Sequence, residues 1–147
     1  MLEKFRILFI LPFFSLLMIK VICFGTFDHL HKGHLNYFSQ AKGLGDYLIV
    51  IVARDKNTNK ETTYDENQRL SEVKKQPIVN EAVLGDLENK YKVIEDKQPD
   101  ILCLGYDQDI DEERLKKVLV KLNLRPEIKR MKAFQEEKYK SSLFRKN

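Results

Sequence analysis

Gly25-Thr26-Phe27-Asp28-His29-Leu30-His31-Lys32-Gly33-His34 is the stretch on which the reading of this chain turns. It follows Val21-Ile22-Cys23-Phe24, an apolar run that reads as a buried strand. It leads into Gly33–Lys42, where Leu35, Phe38 and Ala41 stand at helical spacing among polar residues. The start of a helix has backbone N–H groups without partners and carries positive potential, so it suits phosphate. In an opening helical turn His31 and His34, three apart, point to the same side, where two imidazoles can hydrogen-bond phosphate oxygens. Gly33 lets a ligand come close to the backbone. Two histidines at this spacing are by themselves an ordinary surface pair. Their place in a glycine-led loop between strand and helix gives them meaning.

The pattern continues outward from there. Tyr47–Ala53, Glu81–Leu84, Ile101–Leu104 and Glu127–Met131 read as further strands. Between them the spacing predicts a helix capped by Asp65 and running through Lys75, with Leu70 and Val73 inward and Pro77 stopping it. It predicts another over Leu87–Lys97, with Leu87, Tyr91 and Ile94 on one face, and a third from Asp111 to Leu122 with acidic residues in its first turn. Gly43 and Gly45 end the first helix. Strands alternating with helices imply an α/β fold, a Rossmann-like five-stranded parallel sheet with helices on both faces. Such sheets bind ligands outside the carboxyl ends of their strands. The polar motifs obey that rule, since Thr26–His34, Arg54-Asp55-Lys56, Gly105-Tyr106-Asp107-Gln108 and Lys138–Arg145 each follow a strand.

With 147 residues, 43% hydrophobic and 33% charged, the chain fits one globular domain. Twelve Lys or Arg against six Asp or Glu from Asp111 onward put that third at +6, leaving −2 for the residues before it in a total of +4. The total is too mild to call for nucleic acid, and none is expected as a partner; the basic third suits a polyanion such as a triphosphate. Cys23 and Cys103 sit in apolar runs and read as buried reduced thiols, and nothing has the spacing of a zinc site. Leu8–Ile19 is almost wholly apolar behind Lys4 and Arg6, which resembles a signal peptide, yet no small-residue cleavage site follows and the run is short for a membrane span. We expect residues 1–17 to be a dispensable extension, with an anchor as the rival, and residues 18–147 to form the domain, working in the cytoplasm.

The string Gly25-Thr26-Phe27-Asp28-x-x-His31-x-Gly33-His34 resembles the signature of the cytidylyltransferase-like family, a branch of the HxGH nucleotidyltransferases, from about Ile19 to the C-terminus. The resemblance implies an enzyme that joins a nucleoside monophosphate from CTP or ATP to a phosphorylated acceptor and releases pyrophosphate. His31 and His34 would be the catalytic pair on the phosphates. Thr26, Phe27 and Gly33 would line the nucleotide site, with Lys32 adding charge, and Asp28 would brace the loop through local hydrogen bonds. Tyr106, Asp107 and Gln108 would hold base and ribose. Lys140-Ser141-Ser142-Leu143-Phe144-Arg145 is similar to the family's late Ser/Thr pair, so Ser141 and Ser142 would meet the outer phosphates and Tyr139 would belong to the nucleotide site; the family's Arg-Thr-x-Gly-Ile lead-in is missing here. Asp55, Lys56 and Arg69 would serve the acceptor. Mg²⁺ would travel with the nucleotide, and family members are commonly dimeric.

Val52-Ala53-Arg54-Asp55-Lys56 and Leu104-Gly105-Tyr106-Asp107-Gln108 look most like the archaeal-type FAD synthase branch, which adenylylates FMN with ATP. Glycerol-3-phosphate cytidylyltransferase is the alternative within the same chemistry, disfavoured because only Lys56 and Lys60 remain of that branch's lysine-rich loop. A non-catalytic nucleotide-binding module is the alternative of another kind.

Overall fold

The computed structural model describes residues 17–58 and 61–134. Its five strands are β1 (Lys20–Gly25), β2 (Tyr47–Val52), β3 (Glu81–Leu84), β4 (Ile101–Leu104) and β5 (Glu127–Arg130). The helices between them are α1 (Lys32–Lys42), α2 (Glu66–Lys74), α3 (Lys92–Lys97) and α4 (Glu112–Lys121), with a single 3-10 turn at Asp55–Asn57. The strands form one parallel sheet in the order β3-β2-β1-β4-β5. The chain moves outward from β1 through β2 to β3, then returns to the other side of β1. The strand order therefore reverses between β1 and β4, and a crevice opens there at the strands' carboxyl ends.

The apolar runs are continuous because both faces of the sheet are covered. Val21, Cys23, Leu48, Val50, Val52 and Cys103 point to the face packed by Phe38 and Ala41 of α1 and Val73 of α2. Their neighbours Ile22, Ile49, Ile51, Leu102 and Leu104 point the other way, onto Ile94 of α3 and Leu115 and Leu119 of α4. Each fully buried Leu or Ile contributes about 1.5–3 kcal/mol relative to exposure, so the sheet's interior strands are its main source of stability. Both cysteines are free and buried. Among the described residues no helix is long and apolar enough to cross a membrane.

Two local expectations need correction. The inward stripe of α1 is turned by one residue: Leu35 is 39% exposed, whereas His34 and Tyr37 stand over the sheet with Phe38 and Ala41. The helix expected from Leu87 begins only at Lys92, because the Asp86 carboxylate accepts the N–H groups of Glu88 and Asn89, and Asn89 Oδ1 accepts that of Tyr91. These side-chain bonds hold a turn in place of the first helical turn and leave Leu87 exposed. Gly43 is the C-cap of α1, where the sequence ends the helix, and it keeps helical angles at φ −63°. In this turn the glycine that space requires is Gly45, where a Cβ would lie 2.6 Å from Val21 Cγ2 and 2.8 Å from the Ile19 carbonyl oxygen.

Candidate active site

The loop leaving β1 is under tension. Phe27 and His29 both adopt left-handed backbone angles, φ 54° and 51°, at a cost of roughly 1 kcal/mol or more each. Contacts from distant parts of the chain hold them there. The Asp28 carboxylate accepts the N–H groups of Thr63 at 2.8 Å and Tyr64 at 3.1 Å, so its braces lie 35 and 36 residues away and are not local. Those bonds, the one from Thr63 above all, hold the Asp28 carboxyl below its ordinary range. The His29 ring lies against Tyr64, 4.4 Å between centroids. Gly25 is required by space: a Cβ there would meet Phe27 Cζ at 2.9 Å.

His31 is the N-cap of α1, with its Nδ1 accepting the Gly33 N–H at 3.0 Å. The sequence reading placed it inside the first turn; as a cap it satisfies one of the helix's free donors itself. His31 and His34 stack, with ring centroids 3.8 Å apart and planes 22° from parallel. Phe27, 4% exposed, does not line the site; it lies beneath, its ring edge-on to His34 at 5.5 Å and 5.0 Å from Phe38. Burial first, then the neighbouring His31, lower the His34 pKa from 6.5 to about 4, against weaker upward pulls from Asp107 and Asp28. His34 is thus a neutral imidazole at pH 7, and its Nδ1 is buried with no hydrogen-bond partner among the described residues.

Across the crevice, the loop after β4 is fixed by two side chains. Gln108 accepts the Gly105 N–H through Oε1 at 2.6 Å and donates from Nε2 to the Phe24 carbonyl at 2.7 Å. Arg130 of β5 donates to the carbonyls of Gly105 and Gln108 at 2.9 and 2.8 Å. The expected nucleotide contact by the Gln108 amide is therefore corrected: that amide ties the ends of β1 and β4 together. Tyr106 and Asp107 are left exposed above it.

Of the two basic residues expected to serve the acceptor, Arg69 is also committed. Arg69 is fully buried. It donates to Thr26 and Tyr64 carbonyls at 2.7 and 3.1 Å and to Asp55 Oδ1 at 2.7 Å. A guanidinium so enclosed braces the loops and is not free to meet an acceptor phosphate, which corrects the sequence reading. Asp55, with its carboxyl held below the ordinary range first by Arg69, also accepts the Glu66 N–H at 3.3 Å. Arg54 donates to the Gly85 carbonyl and to Glu66, both at 2.7 Å. Lys56 and Lys32 stand exposed.

His31, Gly33 and His34 share a cavity of about 280 Å³ with Gly105, Tyr106 and Asp107. Its remaining wall combines Asn36, Tyr37 and Gln40 of α1 with Met131, Lys132 and Phe134 beyond β5. Sequence reasoning missed this wall. Gln40 builds it, accepting the Lys132 N–H and donating to the Lys132 carbonyl, both at 3.0 Å. Tyr37 donates its hydroxyl to the Cys103 carbonyl at 2.8 Å. Tyr139, Ser141 and Ser142 lie outside the described residues, as does residue 60.

A family model described as cytidylyltransferase-like matches residues 22–147. The chain is 45% identical over 121 residues to a protein named FAD synthase from Ferroglobus placidus, covering 81% of this chain and 80% of that one. It is 39% identical over 132 residues to a FAD synthase from Thermoplasma volcanium, covering 88% and 93%. Among solved structures, one described as the lipopolysaccharide core biosynthesis protein from Thermoplasma volcanium superposes with a TM-score of 0.76 at 40% identity, over 80% of this chain and 98% of that chain. A pantoate-beta-alanine ligase from Francisella tularensis shares the fold at 14% identity with a TM-score of 0.54, over 78% of this chain and 59% of that one.

Proposed function

This chain belongs to the cytidylyltransferase-like family, and from that premise we propose that it is an FMN adenylyltransferase, moving AMP from ATP onto the phosphate of FMN and releasing pyrophosphate. The observation that carries the reading is the stacked His31–His34 pair at the start of α1, sharing one cavity with Tyr106 and Asp107 where the strand order reverses. The curated relatives named FAD synthase, similar over most of both chains, favour ATP and FMN over CTP and glycerol 3-phosphate.

In this reaction an oxygen of the acceptor phosphate attacks the α-phosphorus in line. The bond from that phosphorus to the bridging oxygen breaks, and pyrophosphate departs with the electron pair. The nucleophile is already an anion, so no general base is needed. The work left to the protein is to align two anions and neutralise charge as it builds. His31 suits that work: with Nδ1 accepting from Gly33, the proton of the neutral ring sits on Nε2 as a donor for a phosphate oxygen. His34 by itself is neutral at pH 7, and a bound triphosphate would favour its protonated form. The free N–H groups of α1 add a second set of donors. Asp107 offers acceptors to a ribose hydroxyl or exocyclic amine, and Tyr106 a ring to pack on the base. Lys32 and Lys56 are exposed cations for the two substrates' phosphates. Mg²⁺ would enter as part of the nucleotide substrate.

The test is to incubate the purified protein with ATP plus FMN and, separately, with CTP plus glycerol 3-phosphate, measuring pyrophosphate and product. FAD formation is the expected result. Turnover confined to the second mixture would overturn the choice of substrates, and silence in every nucleotide and acceptor pairing would favour a binding module.

A further inference from the structure

Arg69 is the one charged residue fully buried among the described residues. Burying a cation is costly unless its donors and its charge are matched. Here the matching is spread over three segments: Thr26 in the loop after β1, Asp55 in the turn after β2, and Tyr64 just before α2. Asp28 reinforces the same junction by accepting the Thr63 and Tyr64 N–H groups. The Thr26 carbonyl held by Arg69 belongs to the peptide that enters Phe27, whose left-handed angle carries its ring under His34. A chain of contacts thus runs from Asp55 through Arg69 and the Thr26 carbonyl to Phe27 and His34.

We infer that Arg69, oriented by Asp55, is a positioning residue for the nucleotide site, setting the height of His34 through the Thr26–Phe27 peptide. The inference rests on the nucleotidyltransferase reading and adds a role that the acceptor-side placement of these residues does not suggest. Asp55 and Arg69 touch no substrate in this account. Their loss weakens the nucleotide side first, because the geometry they maintain is that of the loop after β1.

The decisive measurement is calorimetric binding of α,β-methylene-ATP with Mg²⁺ and without acceptor, in the full chain and in Asp55→Ala, Asp55→Asn and Arg69→Lys, with steady-state kinetics alongside. Displacing a catalytic group by about 1 Å can cost on the order of 100-fold, so a partial release should cost about tenfold. Arg69→Lys keeps the charge but loses the planar fork, so it should weaken analogue binding about tenfold or more and lower kcat while KM for the acceptor holds. Asp55→Ala should act in the same direction and Asp55→Asn should recover most of the loss, because its amide oxygen still accepts from Nη2. Unchanged analogue affinity in Asp55→Ala, with KM for the acceptor alone raised, would overturn the inference and return these residues to the acceptor. If Arg69→Lys fails to fold, as thermal unfolding would reveal, the Asp55 pair still decides. Wild-type protein that binds neither α,β-methylene-ATP nor its cytidine counterpart would overturn the function reading and this inference together; wild-type binding with unaltered variants would overturn this inference alone.

Discussion

His34 occupies a position that a stable protein would give to an apolar side chain. It stands one turn before Phe38 on the buried stripe of α1, with a neutral ring, a pKa near 4 and an unpartnered Nδ1. Replacing it by Ala should lower kcat about 100- to 1000-fold, the usual loss for one donor to developing charge, while the unfolding transition remains cooperative. Retained turnover in that variant would remove the phosphate-stabilising role. The same shift makes a prediction about pH. The folded pKa, about 4, lies below the unfolded value near 6.5, so on acidification the unfolded chain takes up the proton first. Stability contributed by neutral His34 is present above pH 6.5 and is lost as pH falls toward 4. Without nucleotide, Tm should decline through that window in the wild type and decline less in His34→Ala. Asp28, Asp55 and Asp86, whose carboxyls are held below 3.8, lose their contributions only at lower pH, so the windows separate.

At the scale of elements, the glycine that opens the loop after β1 and the one that closes α1 should behave oppositely. At Gly25 an added methyl meets the Phe27 ring at 2.9 Å, and that ring is wedged between His34 and Phe38. Gly25→Ala should cost about 1–3 kcal/mol in denaturant unfolding and weaken nucleotide binding as well. Gly43 has helical angles and its added Cβ would find only carbonyl oxygens at 3.5 Å, so Gly43→Ala should be neutral or stabilising by up to about 1 kcal/mol. Equal effects at the two positions would mean that Phe27 is not a fixed support. The strands were legible because burial on both faces writes an apolar run, as Ile101–Leu104 and Tyr47–Val52 do. The helix after Asp86 was misjudged because side-chain bonds of Asp86 and Asn89 outweighed the spacing of Leu87, Tyr91 and Ile94. Arg69 could not be read correctly from sequence, since its partner carbonyl at Thr26 lies 43 residues away. The wall from Met131 to Phe134 gave no motif, because it follows an edge strand with exposed residues and is held by an unremarked glutamine.

For the whole molecule, the described fold and the serines expected to meet the outer phosphates fall in different parts of the chain. The five described strands, both buried clusters and the bonds from Gln40 and Arg130 that fix the cavity walls all lie within residues 17–134. The resemblance that puts Ser141 and Ser142 on the outer phosphates concerns residues beyond that point. A chain ending at Phe134 keeps every described strand and both buried clusters, and its Tm against the full chain's measures what residues 135–147 add to stability. If the serines and the tail's basic residues serve the phosphates, the truncated chain should still bind adenosine through Tyr106 and Asp107. It should lose most of the added affinity of ATP over adenosine, and kcat should drop at least tenfold, as expected when charge-assisted phosphate contacts worth about 1.5–3 kcal/mol each are removed. Calorimetry with adenosine and with α,β-methylene-ATP on both chains separates the outcomes. An unaltered preference for the triphosphate would show that His31, His34 and the start of α1 hold the phosphates without the tail, and a collapse of adenosine binding as well would show that the tail completes the cavity rather than the phosphate site.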